Sequence, residues 1–188
     1  SLQRFMPMNI RIPLAALASF GVALPCSAAQ PAPRSLWIQP QDPFRIFANT
    51  YYVGTKGISA VLIASEAGHV LIDGGLPESA PNVAQNIGAL GFKIKDVKAI
   101  FNSHAHSDHA GAIAALQQLS SATVFSSPEG AAALAQGHGS KNDPQFEFGD
   151  SFHGVANPKV VEHAKAVRVG SLEVTVHYTP GHTPGGTS

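Results

Sequence analysis

The chain has 188 residues, with 12 Lys+Arg against 12 Asp+Glu, 44% hydrophobic and 13% charged. That is enough for one folded domain of ordinary composition. The balanced charge, with no basic cluster to track phosphates, excludes a nucleic-acid surface, and one cysteine, Cys26, excludes an internal disulfide.

In chain order, Asn9-Ile10-Arg11 is a short basic start after Met6 or Met8, either of which can begin translation. Ile12 to Pro25 is apolar and uncharged, and Ser27-Ala28-Ala29 supplies small residues of the kind a signal peptidase cuts after. The order of basic, apolar and small parts predicts a secretory signal peptide, too short to span a bilayer, so residues 1–29 read as leader and signal peptide. Export to the periplasm follows. Cleavage removes Cys26, Arg4 and Arg11 and no acid, and leaves a slightly acidic chain with no membrane attachment.

The exported part, 30–188, opens with a proline-rich extended arm over Gln30 to Pro43, in which Trp37 is a packing anchor. Phe44 to Val53 reads as a strand pair broken at Asn49-Thr50. Ile58 to Ile63 is nearly all apolar, as in a strand covered on both faces. His69 to Ile72 is another strand, stopped by Asp73-Gly74-Gly75. Pro77 opens a helix whose apolar positions Ala80, Val83, Ala84, Ile87 and Leu90 follow helical spacing, and Gly91 ends it. Val97 to Phe101 is a strand, Ile113, Leu116 and Leu119 mark a helix, Ala122 to Ser126 is a strand and Pro128 to Gln136 a helix. Gly137 to Pro158 lacks periodicity and reads as loop. Val167 to Val169 and Leu172 to His177 form a hairpin about Gly170-Ser171. Strands alternating with helices predict an α/β layered fold.

One stretch resists a packing explanation: His104, His106, Asp108 and His109 crowd behind the strand ending at Phe101, and His182 follows in the turn Gly181-His182-Thr183-Pro184. Imidazole and carboxylate are natural zinc ligands. In an extended segment alternate residues share a face, so His104 and His106 point the same way. Asp108 and His109 then lie on the other side, available to a neighbouring metal, and the pattern predicts a two-metal site. His69, His138, His153, His163 and His177 have no ligand spacing around them and read as surface or turn residues. Asp73 is either a turn former or a partner that fixes an imidazole.

These motifs make the chain resemble the metallo-β-lactamase superfamily from about Trp37 to Ser188. The anchors are Ile72-Asp73-Gly74-Gly75, His104-Ala105-His106-Ser107-Asp108-His109 and Gly181-His182-Thr183-Pro184-Gly185. Within it, Tyr52-Val53-Gly54-Thr55, His104 at the first ligand position and the closing Gly185-Gly186-Thr187-Ser188 look most like subclass B3. The resemblance implies an αβ/βα sandwich with two zinc ions. One would be held by His104, His106 and His182, the other by Asp108, His109 and a further histidine. It also implies hydrolysis of the β-lactam amide by a metal-bound hydroxide, with Asp108 as catalytic residue orienting it and a small β-lactam as partner. Gly185 and Gly186 would be turn glycines that let His182 approach the metal.

Members of that family continue through a second half that supplies the last ligand. The expectation here is therefore an N-terminal half with the start of the second, an incomplete second zinc site and one bare face of the sheet. Other members of the superfamily, the thioesterases resembling glyoxalase II and the acyl-homoserine lactonases, share the motif; export argues against the former. A non-catalytic zinc-binding remnant is the reading from a different class. The sequence sets no oligomeric state.

Overall fold

The structure, a computed structural model, describes residues 33–188. The leader and signal peptide expected over residues 1–29 lies outside the described residues. Among those described, no helix is long and apolar enough to cross a membrane.

Seven strands form one sheet in chain order: β1 (Phe44–Phe47), β2 (Thr50–Tyr52), β3 (Val61–Ile63), β4 (His69–Ile72), β5 (Val97–Phe101), β6 (Thr123–Ser126) and β7 (Lys159–Val160). The first four pair antiparallel through short turns. From β4 to β7 the pairing is parallel, as helical crossovers require. The crossovers are α2 (Ala80–Ala89), α4 (Ile113–Ser120) and α5 (Pro128–Gln136), while α1 (Arg34–Trp37) and α3 (Ser107–Ala110) are single turns. A separate hairpin, β8 (Ala166–Val169) with β9 (Leu172–Thr175), completes the fold.

The apolar runs sort onto two faces by strand alternation. Leu62, Leu71, Ile100 and Val124 stand in one cross-strand row and are fully buried with Val83, Ile87, Ile113 and Leu116 of the helices. On the other face Val70, Ala99 and Phe101 pack with Val169 and Val176 of the hairpin segment, and Phe101 stacks on Phe125 at 5.0 Å. The bare face expected from the sequence is thus covered over the centre of the sheet. Apart from Leu36, Leu119 and Phe148 outside the sheet, the exposed large apolar side chains lie along β1, at Phe44, Ile46 and Phe47, and at Val160 of β7. These are the two edge strands of the sheet.

Helix α5 shows how completely local chemistry sets an element. Ser127 caps it by accepting from Gly130 N at 3.1 Å, Pro128 sits in the first turn, and Gly137 closes it in the left-handed region. Other elements depart from the sequence reading. The proline-rich arm contains the helical turn α1, whose Trp37 carbonyl accepts from Thr55 Oγ1 at 2.6 Å. Trp37 packs on Gly57, as an anchor would, because a Cβ on Gly57 would lie 2.7 Å from Trp37 Cα. β3 is only three residues, since Ala60 already belongs to the turn pairing with Val53. The 137–158 loop holds one 3₁₀ turn, Phe146–Phe148, and the following Lys159–Val160 adds a two-residue strand too short to carry a periodic signal.

His69 corrects another expectation, because it is buried rather than on the surface or in a turn. Its Nδ1 accepts from Ser65 N at 3.2 Å and its ring meets Phe92 edge-on at 4.9 Å. Burial lowers its pKa, and repulsion from Lys98 adds to that, while Asp96 and the Ser65 backbone oppose it. The unfolded chain therefore takes up a proton here at a higher pH than the folded one. The stability from neutral His69 is full above its ordinary pKa of about 6.5 and is lost as pH falls through the lowered folded value. Chemical denaturation of metal-free protein at pH 7.5 and 5.5 should show a smaller acid loss for His69→Gln than for wild type. Equal losses would mean that His69 is not the acid-sensitive group.

Candidate metal centre

The parallel strands deliver their C-terminal ends to one edge of the sheet, where open α/β folds build sites. Asp73 follows β4, Asn102 to His104 follow β5, and Ser127 follows β6. Asp73 has φ +57°, a left-handed conformation that Asp tolerates better than most residues, and its N–H donates to Phe101 O at 2.9 Å. This turn sends its carboxylate under the histidine loop. Gly111 lets that loop close over the start of the α2 segment, because a Cβ there would collide with Pro77 and with Ser107 O.

Asp73 is buried and gathers four donors. Asn102 Nδ2 at 3.0 Å and Ser103 N at 2.7 Å reach Oδ1; Ser103 Oγ at 2.6 Å and His109 Nδ1 at 2.8 Å reach Oδ2. Of the two roles weighed for Asp73, the geometry supports both, a turn former that also fixes an imidazole. With its hydroxyl donating to Asp73, Ser103 Oγ accepts from His104 Nδ1 at 3.1 Å. That bond leaves His104 Nε2 as the lone-pair nitrogen, and this atom is buried with no hydrogen-bond partner. A buried polar atom without a partner costs about 1–3 kcal/mol, so it points to a ligand.

That ligand volume is shared. His106 Nδ1 and His182 Nε2 lie 3.2 Å apart, and the rings of His104, His106 and His182 are mutually 4.8 to 5.0 Å apart by centroid. One nitrogen from each of the three lies within 4.8 Å of the others, and the same holds for ligand atoms of His104, Asp108 and His109. All five sequence-identified residues, His104, His106, Asp108, His109 and His182, therefore come together. The extended reading fails beyond His106: α3 turns the chain helically, and His109 swings back to within 4.1 Å of the His104 ring. Asp108 and His109 lie beside His104 rather than on an opposite face, with Asp108 Oδ2 3.6 Å from His109 Nε2.

Protonation fits metal binding at His104. Burial, reinforced by the neighbouring His109, lowers its pKa to about 4, so the imidazole is neutral at pH 7, as a ligand must be. At His109 burial works downward, but the hydrogen bond and charge of Asp73, with Asp108, outweigh it and raise the pKa. His109 Nδ1–H donates to Asp73 Oδ2, and Nε2 faces Asp108.

His182 is placed by packing of its turn. Ser127 Oγ donates to Gly185 O at 2.7 Å, and Gly185 rests on the first turn of α5, where a Cβ would collide with Gly130 N. Gly185 thus seats the turn on a helix; its φ is not in the left-handed region. Gly186 leaves room for Thr179 O, 2.8 Å from where its Cβ would be. His138 is exposed as expected, but it lines a pocket of about 270 Å³ with His106 and Asp143. His153, His163 and His177 are exposed, and His163 Nδ1 accepts from Tyr178 N.

Sequence reasoning missed two residues that hold the imidazoles, Ser103 and Asp143, and one loop tether, Asp150, that bonds to none of them. Ser103 was only a neighbour of the motif. Asp143 and Asp150 lay in a loop without periodicity, yet Asp143 meets His106 Nε2 at 3.1 Å and Asp150 accepts from Ser107 N at 2.7 Å. Their one sequence signal was carboxylates among turn residues, which does not separate ligand partners from turn formers. Beside the site runs a cleft of about 530 Å³, lined among others by Trp37, Leu76, Asp108, Gln145, Phe148 and His182.

A layered α/β domain with three converging imidazoles and an adjoining Asp–His pair is a metal-binding protein by class. The chain belongs to the metallo-beta-lactamase superfamily, whose family model matches residues 53–188. Its fold is similar to the Rm3 metallo-beta-lactamase, with 52% identity over 81% of this chain and 57% of that one, TM-score 0.79. It is also similar to MEM-A1, a subclass B3 metallo-beta-lactamase from a soil metagenome library, with 56% identity over 80% of this chain and 57% of that one, TM-score 0.78. A third is SMB-1 in a complex with mercaptoacetic acid, with 49% identity over 80% of this chain and 58% of that one, TM-score 0.78. The sequence-level resemblance to subclass B3 is thereby upheld. The chain spans less than two thirds of the length of each of these proteins.

Proposed function

We propose that the whole protein hydrolyses the amide bond of β-lactams with two zinc ions, one on His104, His106 and His182 and one on Asp108 and His109 with a further ligand. The observation that carries this is the unpartnered, buried His104 Nε2, converging with His106 and His182 in a chain about half identical to named metallo-beta-lactamases. Zinc bound there supplies Lewis acidity and lowers the pKa of water to about 7.

The chain's own groups do the rest. Asp73 and Ser103 hold His109 and His104 in the tautomers that leave Nε2 free for the metal. Asp108, half-exposed at the cleft, orients the attacking water by accepting its hydrogen bond. Trp37, Leu76 and Phe148 offer apolar walls, and the cleft has the volume of a drug-sized ligand pocket. The names of the similar structures favour lactam over lactone substrates.

Export through a cleaved signal peptide is part of this proposal and rests on the order of residues 9–29. Protein recovered from a periplasmic fraction should begin at Gln30, open the lactam ring, lose activity to a chelator and regain it with zinc. Turnover that survives exhaustive chelation would sink the metal mechanism, and an intact residue 9–29 segment on the active protein would sink the export reading.

A further inference from the structure

His106 differs from its two companions in how it is held. Its side chain is 5% exposed and Nδ1 faces His182, so the far nitrogen, Nε2, points away from the ligand volume. There it meets Asp143, whose oxygens lie 3.1 and 3.2 Å away and whose side chain is 4% exposed. Asp143 is itself fixed. Its Oδ1 accepts from Gln145 N at 2.8 Å, and its backbone closes turns with Ser140 O and Phe146 N. A Cβ on Gly139 would sit 3.0 Å from Oδ2, so the chain runs close beneath the carboxylate.

We propose that Asp143 is the positioning residue of His106. It accepts the Nε2 proton, and so locks the tautomer and ring orientation that present the Nδ1 lone pair to the metal. The loop 137–151 thereby sets the affinity of the three-histidine site. This rests on the metal reading above but not on the substrate. Without Asp143 the imidazole can place its proton on Nδ1 or turn about its ring axis, and either change removes a ligand. A carboxylate on a ligating imidazole also raises its basicity, and losing such a partner costs about 10–100-fold in metal affinity.

The loop has a second tether, Asp150 on Ser107 N, which touches no imidazole. The two tethers separate positioning from mere loop anchoring. Zinc affinity of the whole protein, by competition with a chromophoric chelator, and the spectrum of its cobalt(II) form are the readouts. Asp143→Ala should lose about 10–100-fold in affinity at the first-filled site and alter the cobalt spectrum. Asp143→Asn, which keeps the shape and an acceptor oxygen, should fall between alanine and wild type. Asp150→Ala should leave affinity and spectrum close to wild type. Unchanged affinity in Asp143→Ala overturns the proposal, as does an equal loss in Asp150→Ala. Should the metal data follow expectation while wild type fails to open lactams, the hydrolase reading falls and the role of Asp143 stands.

Discussion

His104→Ala is expected to leave a folded protein that no longer binds its first metal tightly and no longer turns over lactams. His104 is the imidazole common to both ligand groups, and its Nε2 is the one imidazole nitrogen among the five buried side-chain atoms of the described residues that lack a hydrogen-bond partner. Removing it leaves His106 and the exposed His182 as two ligands, and it opens space beside His109. The loss of a ligand should exceed the about 100-fold penalty seen when only a ligand's hydrogen-bond partner is removed. Stability of the metal-free protein should fall little or even rise, because the substitution deletes an unsatisfied buried group together with a small packed volume. The measurements are zinc stoichiometry, thermal unfolding with and without metal, and lactam hydrolysis. Zinc binding as tight as wild type would show that His104 is not a ligand.

Changes at Asp73 should act through protons rather than through direct contact with substrate. Asp73→Ala strands four donors, from Asn102, from Ser103 twice and from His109, in a buried pocket. Each donor left without a partner costs about 1–3 kcal/mol, so the alanine variant should be severely destabilised. Asp73→Asn is the sharper test. Asparagine also tolerates the left-handed backbone and keeps one acceptor oxygen for Asn102 and Ser103 N. Its amide then faces His109 Nδ1 as a donor, which drives the proton to Nε2 and removes the lone pair that would face Asp108. The expected result is a near-normal unfolding temperature with one tight zinc instead of two. Normal stoichiometry and turnover in Asp73→Asn would refute the tautomer argument.

Much of the architecture was readable because periodicity and punctuation agreed. The 3.6-residue spacing of Val83 and Ile87, the cap at Ser127 with Pro128, and the Asp73-Gly74-Gly75 stop each depend on neighbours a few positions away. The parts that escaped have no such local signal. The α1 turn is held by Thr55, far along the chain, and β7 forms only because β6 offers it an edge. Burial of His69 depends on Phe92 arriving from the end of α2. Cover for the second sheet face comes from a hairpin that is legible as a hairpin but carries no mark of where it packs.

The sequence by itself determined the candidate site, because His104, His106, Asp108, His109 and His182 are of metal-ligating type and crowd into two short motifs, and the layered α/β class followed from alternating strands and helices. Only the tertiary structure decided how those ligands are held. Tautomer and ring orientation are set by the partner of the nitrogen that does not face the metal, and those partners arrive from other elements. Asp73 comes from the end of β4 and Asp143 from an aperiodic loop, each more than 30 residues from the histidine it meets except where Ser103 adjoins His104. Hydrogen-bond geometry across such separations is fixed by the packing of helices and loops on the sheet, which a one-dimensional pattern of residue types does not encode.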